Sequence, residues 1–318
     1  MPITDLPHDP LWPRANSWIV PSKPGESPAS DLAIIGIPAY RTSITPSGAH
    51  DTPQAVREAL ARFSTFAGAR GVDLSLMKAI DLGDVEEPDG EEGEKRVRLA
   101  LSLVRGRHRL LIVLGGDNST TYSALRGLAG DELRSWGLVT VDAHHDVRDG
   151  ISNGSPVRRL VEAGLPGPSI AQMGIADFAN SAAYAARARE FGITVISRDA
   201  LRDWDPVDAA ERALAIAGRN ARPVYVDLDL DVCDCSYVPG CHAALPGGIT
   251  ADELRQLAYA FGRSPAVRAI DLTGVDALAD ATDGRTVRLA ALLVLEAAAG
   301  LAARTGGPRK VSPVVGTL

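Results

Sequence analysis

Val141-Asp142-Ala143-His144-His145-Asp146 follows the apolar run Gly137-Leu138-Val139-Thr140, and Asp227-Leu228-Asp229-Leu230-Asp231 follows Val224-Tyr225-Val226. Both stretches read as strands that end in acid. Side chains alternate faces along a strand, so residues two apart point the same way. Asp142, His144 and Asp146 therefore form one row, and Asp229 and Asp231 begin another. His145 falls on the opposite face, where support or solvent contact is the default. Carboxylates at the end of a buried strand are costly unless something neutralises them. Divalent metal is the neutraliser that mixed carboxylate and imidazole ligands suit, Mn²⁺ in particular. The competing reading is an exposed acidic strand end, as four acids at 227, 229, 231 and 234 would allow. Two apolar lead-ins and two separate clusters favour the metal.

Outward from these segments, short apolar runs alternate with helical patterns. The runs lie at 32–37, 78–82, 109–114, 138–141, 169–174, 194–196, 224–230 and 267–272, which predicts eight strands. Helices are predicted near 53–63, 91–105, 119–130, 155–163, 181–190, 205–218, 250–262 and 285–304. Alternating βα order implies an α/β fold with a mostly parallel sheet covered on both faces. Ligand sites in such sheets lie at the carboxyl ends of strands. The acidic segments fall there, and so does Leu114-Gly115-Gly116-Asp117-Asn118-Ser119. Residues 1–30 are rich in Pro and Ser and read as an extended arm. No break in composition divides 31–318, which reads as a single domain.

The chain has 318 residues, 45% of them hydrophobic, and a net charge of −7. This is enough apolar material for a sizeable core. The acidic balance argues against nucleic acid or an anionic membrane as partner. No apolar run approaches the length of a membrane span. The opening residues lack a basic segment followed by an apolar one, so a secretory signal is not expected. Cys233, Cys235 and Cys241 are an odd, clustered set that suits reduced thiols in a cytoplasm, with packing as their role.

The ordered set Gly115-Gly116-Asp117-Asn118-Ser119, Asp142-Ala143-His144-His145-Asp146 and Asp227-Leu228-Asp229-Leu230-Asp231 resembles the ureohydrolase superfamily of arginases, agmatinases and formimidoylglutamases. Asn153-Gly154-Ser155-Pro156 is similar to its substrate loop. Pro239-Gly240 and Pro246-Gly247-Gly248-Ile249-Thr250 resemble the loop after its last metal strand, and Asp283-Gly284-Arg285-Thr286 the start of its last helix. The resemblance covers about residues 31–304. It implies a three-layer α/β/α fold around an eight-stranded sheet, two Mn²⁺ ions per chain, and hydrolysis of a linear amidine or guanidine C–N bond by a metal-bridging hydroxide. It implies Asp142, His144, Asp146, Asp229 and Asp231 as ligands. Asp146 also acts on the hydroxide, and Asp117 supports its loop; both count as catalytic residues. Family members are often trimers or hexamers, which implies a homo-oligomer.

Three positions depart from the common pattern. Asn118 stands where most members have a ligand histidine, and it is expected to be a weak ligand. Asn153 stands where arginases and agmatinases have a proton-shuttling histidine. Gly274 stands where an acid grips the amidinium, and Asp276, two residues on, is the expected substitute. Asp146-Val147-Arg148 resembles a stretch of the formimidoylglutamases, whose substrate carries two carboxylates. Arg148 and Arg158 are expected to pair with these, and Asn153 and Ser155 to line the substrate loop. The first reading is therefore hydrolysis of formimidoylglutamate to glutamate and formamide. Agmatine or another guanidino acid is the second, and a non-catalytic relative with a weakened metal site the third.

Overall fold

The computed structural model describes residues 9–23 and 26–304. Its strands are β1 (Ile19–Pro21), β2 (Ser30–Ile37), β3 (Phe66–Ala67), β4 (Val72–Asp73), β5 (Ala79–Asp84), β6 (His108–Gly115), β7 (Gly137–Val141), β8 (Ile170–Ile175), β9 (Thr194–Ser197), β10 (Val224–Asp229) and β11 (Val267–Thr273). Nine form one sheet in the order β1-β5-β2-β6-β11-β10-β7-β8-β9, and β3 and β4 make a small antiparallel pair outside it. Every pairing in the large sheet is parallel.

Parallel strands need covered crossovers, and the sequence supplies a helix for most of them. Alternate residues of each strand feed two cores. Leu32, Ile34, Leu110, Ile112, Val139 and Val226 pack on one face with the helices Thr52–Ala59, Pro206–Ala217, Ala251–Arg263 and Arg285–Ala302. Ala33, Ile35, Leu111, Val113, Leu138 and Tyr225 pack on the other with Gly90–Val104, Thr120–Ala129, Pro156–Glu162 and Ala182–Glu190. The result is the three-layer arrangement. Thr250 and Glu253 close a reciprocal cap at the start of Ala251–Arg263, each side chain bonding the other's amide.

The sheet has nine strands where the sequence predicts eight. The ninth, β1, lies within the stretch read as an arm, and its three residues pair with β5. A strand this short, ending in Pro21, has no periodicity to detect, and proline is tolerated only at such edges. Trp18, just before it, donates its indole N–H to the Met77 carbonyl at 2.9 Å. Residues 1–8 and 24–25 of the arm, and the end of the domain, 305–318, lie outside the described residues. Among the described residues no helix is long and apolar enough to cross a membrane.

The register sets up the site. Leu228 of β10 lies opposite Val141 of β7, Asp229 opposite Thr273 of β11, and Leu272 of β11 opposite Leu114 of β6. Four neighbouring strands thus end level. The turn after β6 comes very close to the chain after β2. A Cβ on Gly116 would stand 2.0 Å from the Ala39 carbonyl oxygen, and the Asp117 amide donates to that oxygen at 2.8 Å.

Candidate metal centre and substrate cavity

Because β7 and β10 are neighbours, their acidic ends converge. Two groups there are close enough to hold ions. Asp142, His144 and Asp231 form one, and Asp142, Asp146 and Asp227 form the other. Within each group the ligand atoms lie within 4.8 Å of one another. Asp229 is buried beside them and accepts the Asp231 amide at 2.9 Å. His144 Nδ1 lies 2.9 Å from Asp231 Oδ2 and 3.4 Å from Asp142 Oδ1. Asp146 has φ +55°, a left-handed conformation uncommon without glycine and typical of residues whose surroundings over-determine them. His145 points away, with Nδ1 2.7 Å from Gln172 Oε1.

The donor set fits a pair of hard cations. All five aspartates are buried, and among the described residues His144 is the sole basic side chain in ion-pair range of any of them. Asp227 Oδ2 is buried without a hydrogen-bond partner among the described residues. Burial, and then neighbouring carboxylates, push the carboxyl groups of Asp146, Asp227, Asp229 and Asp231 above the usual range. Burial works to lower the His144 imidazole, but Asp231 and Asp142 carry it up to about 12. Such a cluster must hold protons or cations, and oxygens with one imidazole suit Mn²⁺.

Asn118 stands directly behind the acids. Its side-chain nitrogen faces Asp142 Oδ2 at 3.3 Å and Asp146 Oδ2 closer still. Its oxygen faces the hydroxyls of Thr121 at 3.0 Å and Thr273 at 3.1 Å. Asp117 accepts from the Ser119 amide and hydroxyl and, at 2.7 Å, from the Ser43 hydroxyl. It therefore ties the turn after β6 to the loop after β2.

A cavity opens above the acids. Its walls come from Ser43, Ile44 and Thr45 on one loop and Arg148, Asn153 and Gly154 on another. Arg148 has no acidic partner among the described residues, and its guanidinium lies 5.8 Å from the Tyr184 ring centroid. Asn153 accepts the Ile44 amide at 3.1 Å through its side chain and donates its own amide to the Thr42 carbonyl at 3.1 Å.

Three expected substrate contacts are placed otherwise. Arg158 turns its guanidinium onto the carbonyls of Arg148 and Gly150 and onto Glu162, so it braces the loop that carries Arg148. Ser155 is buried and exchanges hydrogen bonds with the Ser152 backbone. Asp276 is occupied by backbone amides and by His242, which leaves no free carboxylate to grip an amidinium. Nor does Gly274 leave room for an acid. Its φ is +76°, and a Cβ would stand 2.1 Å from Asp229 Oδ1.

Sequence reasoning passed over two residues of this site. Asp227 alternates with Asp229 and Asp231, so period two alone would have found it. His242 lies in an irregular loop and carries no sequence signal beyond being one of six histidines. Cys233 and Cys241 are buried free thiols held protonated by burial, and Cys235 is also free.

A parallel three-layer sheet ending in two carboxylate-lined subsites that share an aspartate defines a hydrolase of the arginase type. The chain belongs to the arginase family, whose model matches residues 30–300. Within that family it is similar to the formimidoylglutamase of Bacillus subtilis, at 32% identity over 278 residues, covering 85% of this chain and 86% of the relative. The crystal structure of the Bacillus subtilis formimidoylglutamase superposes with a TM-score of 0.86 at 30% identity, over 93% of this chain and 94% of that one. Trypanosoma cruzi formiminoglutamase, solved with a Mn²⁺ pair, superposes with a TM-score of 0.82 at 25% identity, over 92% and 99% of the two chains.

Proposed function

We propose that this chain hydrolyses the C–N bond of formimidoylglutamate, releasing glutamate and formamide. The observation that carries the reading is Arg148. It lines the cavity with no carboxylate among the described residues to pair with, and it is held beside Tyr184. A guanidinium so placed binds a substrate carboxylate, which formimidoylglutamate has and agmatine lacks. The names of the similar proteins support the same substrate.

Asp142, His144, Asp146, Asp227, Asp229 and Asp231 would hold two divalent ions, for which Mn²⁺ is our assignment from the donor set and the Trypanosoma cruzi relative. The chemistry such ions supply is the acidification of a water molecule. Asp146 would accept a hydrogen bond from such a water. Arg148 holds the glutamate end, and Asp117, through Ser43, fixes the loop that faces it. Orientation of this kind converts a two-molecule encounter into an effectively intramolecular one.

The test is a substrate panel on Mn²⁺-loaded protein, comparing formimidoylglutamate with agmatine and guanidinobutyrate by product release. The expected result is turnover of formimidoylglutamate with kcat/KM well above either guanidine. Preference for a guanidine would overturn the assignment.

A further inference from the structure

Among the described residues, His144 and His242 are the two imidazoles that line the cavity, and His144 is committed to the metal ligands. His242 Nε2 lies 2.8 Å from Asp276 Oδ2. The histidine side chain is 37% exposed, while that of Asp276 is 6% exposed. Asp276 is fixed from several directions: its Oδ2 also accepts the Gly48 amide at 2.8 Å, and its Oδ1 accepts those of Leu278 and Ala279 at 3.0 and 3.1 Å. Burial works to raise the Asp276 carboxyl, but the His242 bond and the three amides outweigh it and hold it below the usual carboxylate range. An anchored carboxylate on one ring nitrogen sets the orientation of the imidazole. The other nitrogen, Nδ1, has no hydrogen-bond partner among the described residues, and the residue lines the cavity.

Among the described residues the cavity holds no other imidazole outside the metal ligands. The asparagine of the substrate loop, Asn153, carries no transferable proton, and its side-chain oxygen is engaged by Ile44. Gly274 has no side chain. The remaining charged or titratable groups that line the space are Asp117, His144, Asp146, Asp229, Asp231, Arg148 and Tyr184. The aspartates and His144 are taken up by metal or loop contacts, and Arg148 is always protonated.

We propose that His242 is the proton donor to the departing nitrogen and that Asp276 is its positioning residue. This rests on the proposed hydrolysis of formimidoylglutamate. The water oxygen bonds to the formimidoyl carbon, and the bond from that carbon to the glutamate nitrogen breaks. The nitrogen leaves with the electron pair and takes a proton from His242 Nδ1. The attacking water returns a proton to His242 and another to the retained nitrogen, so formamide and glutamate form with no net proton consumed.

The experiment compares wild type, His242→Ala, His242→Asn and Asp276→Asn, each loaded with Mn²⁺ and checked for bound metal per chain. General acid catalysis contributes about 100-fold or more. Both His242 variants are therefore expected to lose about that factor in kcat with KM and metal content unchanged. Added imidazole is expected to restore part of the rate in His242→Ala. Asp276→Asn is expected to lower kcat less and to gain nothing from imidazole. Retained kcat in both His242 variants would overturn the proposal while leaving the substrate assignment standing. So would a loss seen only as raised KM, or as lost metal. Wild type that does not turn over formimidoylglutamate would overturn the functional reading, and this proposal with it.

Discussion

The side-chain oxygen of Asn118 lies 3.1 Å from the Thr273 hydroxyl, on the far side of the amide from the metal ligands. Thr273 also faces Asp227 Oδ1 at 3.2 Å, and Thr121 faces both Asn118 and Asp271. Each hydroxyl has one proton and two acceptors to serve. Turned half a revolution, the amide would donate to both threonines, which would then serve Asp227 and Asp271, and its oxygen would face the acids. That orientation is favourable only with a cation between oxygen and carboxylates. Thr273→Val, which keeps the shape and removes the hydroxyl, is therefore expected to weaken one of two Mn²⁺ ions by about 10-fold or more. Metal analysis after desalting checks this, and two ions held as tightly as in wild type would refute it.

Arg148→Ala is expected to raise KM for formimidoylglutamate by about 10-fold or more, the scale of a charged hydrogen bond. Activity toward agmatine, however slow, is expected to keep its KM. Steady-state kinetics on both substrates checks the split, and equal effects would remove the carboxylate contact.

The acids predict an inverted pH dependence for the metal-free protein. Asp146, Asp227, Asp229 and Asp231 are raised in the native state, so above about pH 4 the folded chain binds more of their protons than the unfolded chain. Their contribution to stability is full below that point and is lost as pH rises through the native values. The contribution of His144 is likewise full below about pH 6.5 and is lost as pH climbs toward about 12. Tm of chelator-treated protein is expected to fall between pH 5 and 8, and Mn²⁺ to raise Tm most at the upper end. A Tm of the metal-free protein that rises across this window would contradict the argument.

Gly274→Ala adds a Cβ at positive φ, 2.1 Å from Asp229 Oδ1. Strain of that kind costs about 1–3 kcal/mol. The variant is expected to lose Tm and to bind Mn²⁺ less tightly, since Asp229 must move. Thermal unfolding with and without the metal reads both effects, and unchanged values would show that the turn after β11 relaxes freely.

Much of this molecule is legible in its sequence because its strands are long. The runs at 109–114 and 224–230 emerge as β6 and β10 with little change. The acids do converge, but not as one strand face: Asp142, His144 and Asp146 follow the end of β7 in an irregular turn, with Asp146 left-handed, and Asp231 sits in a short helical turn after β10. The resemblance that follows from those segments is upheld by the family match. β1 was hidden by its three-residue length. Arg158, Ser155 and Asp276 were misplaced for a different reason: loop side chains follow no period, and each satisfies backbone groups that only the folded chain reveals. His242 was missed on the same account, since its role depends on Asp276, 34 residues later.

The two ties Asn153 makes to the 42–44 segment, and the hold of Arg158 on the loop carrying Arg148, join the cavity walls into one frame. A frame built in this way spends its ordering entropy during folding, so a ligand meets walls already in position. Discrimination among amidines then rests on fit at first contact rather than on closure after binding. Substitutions that cut the ties would blunt selectivity by loosening the walls.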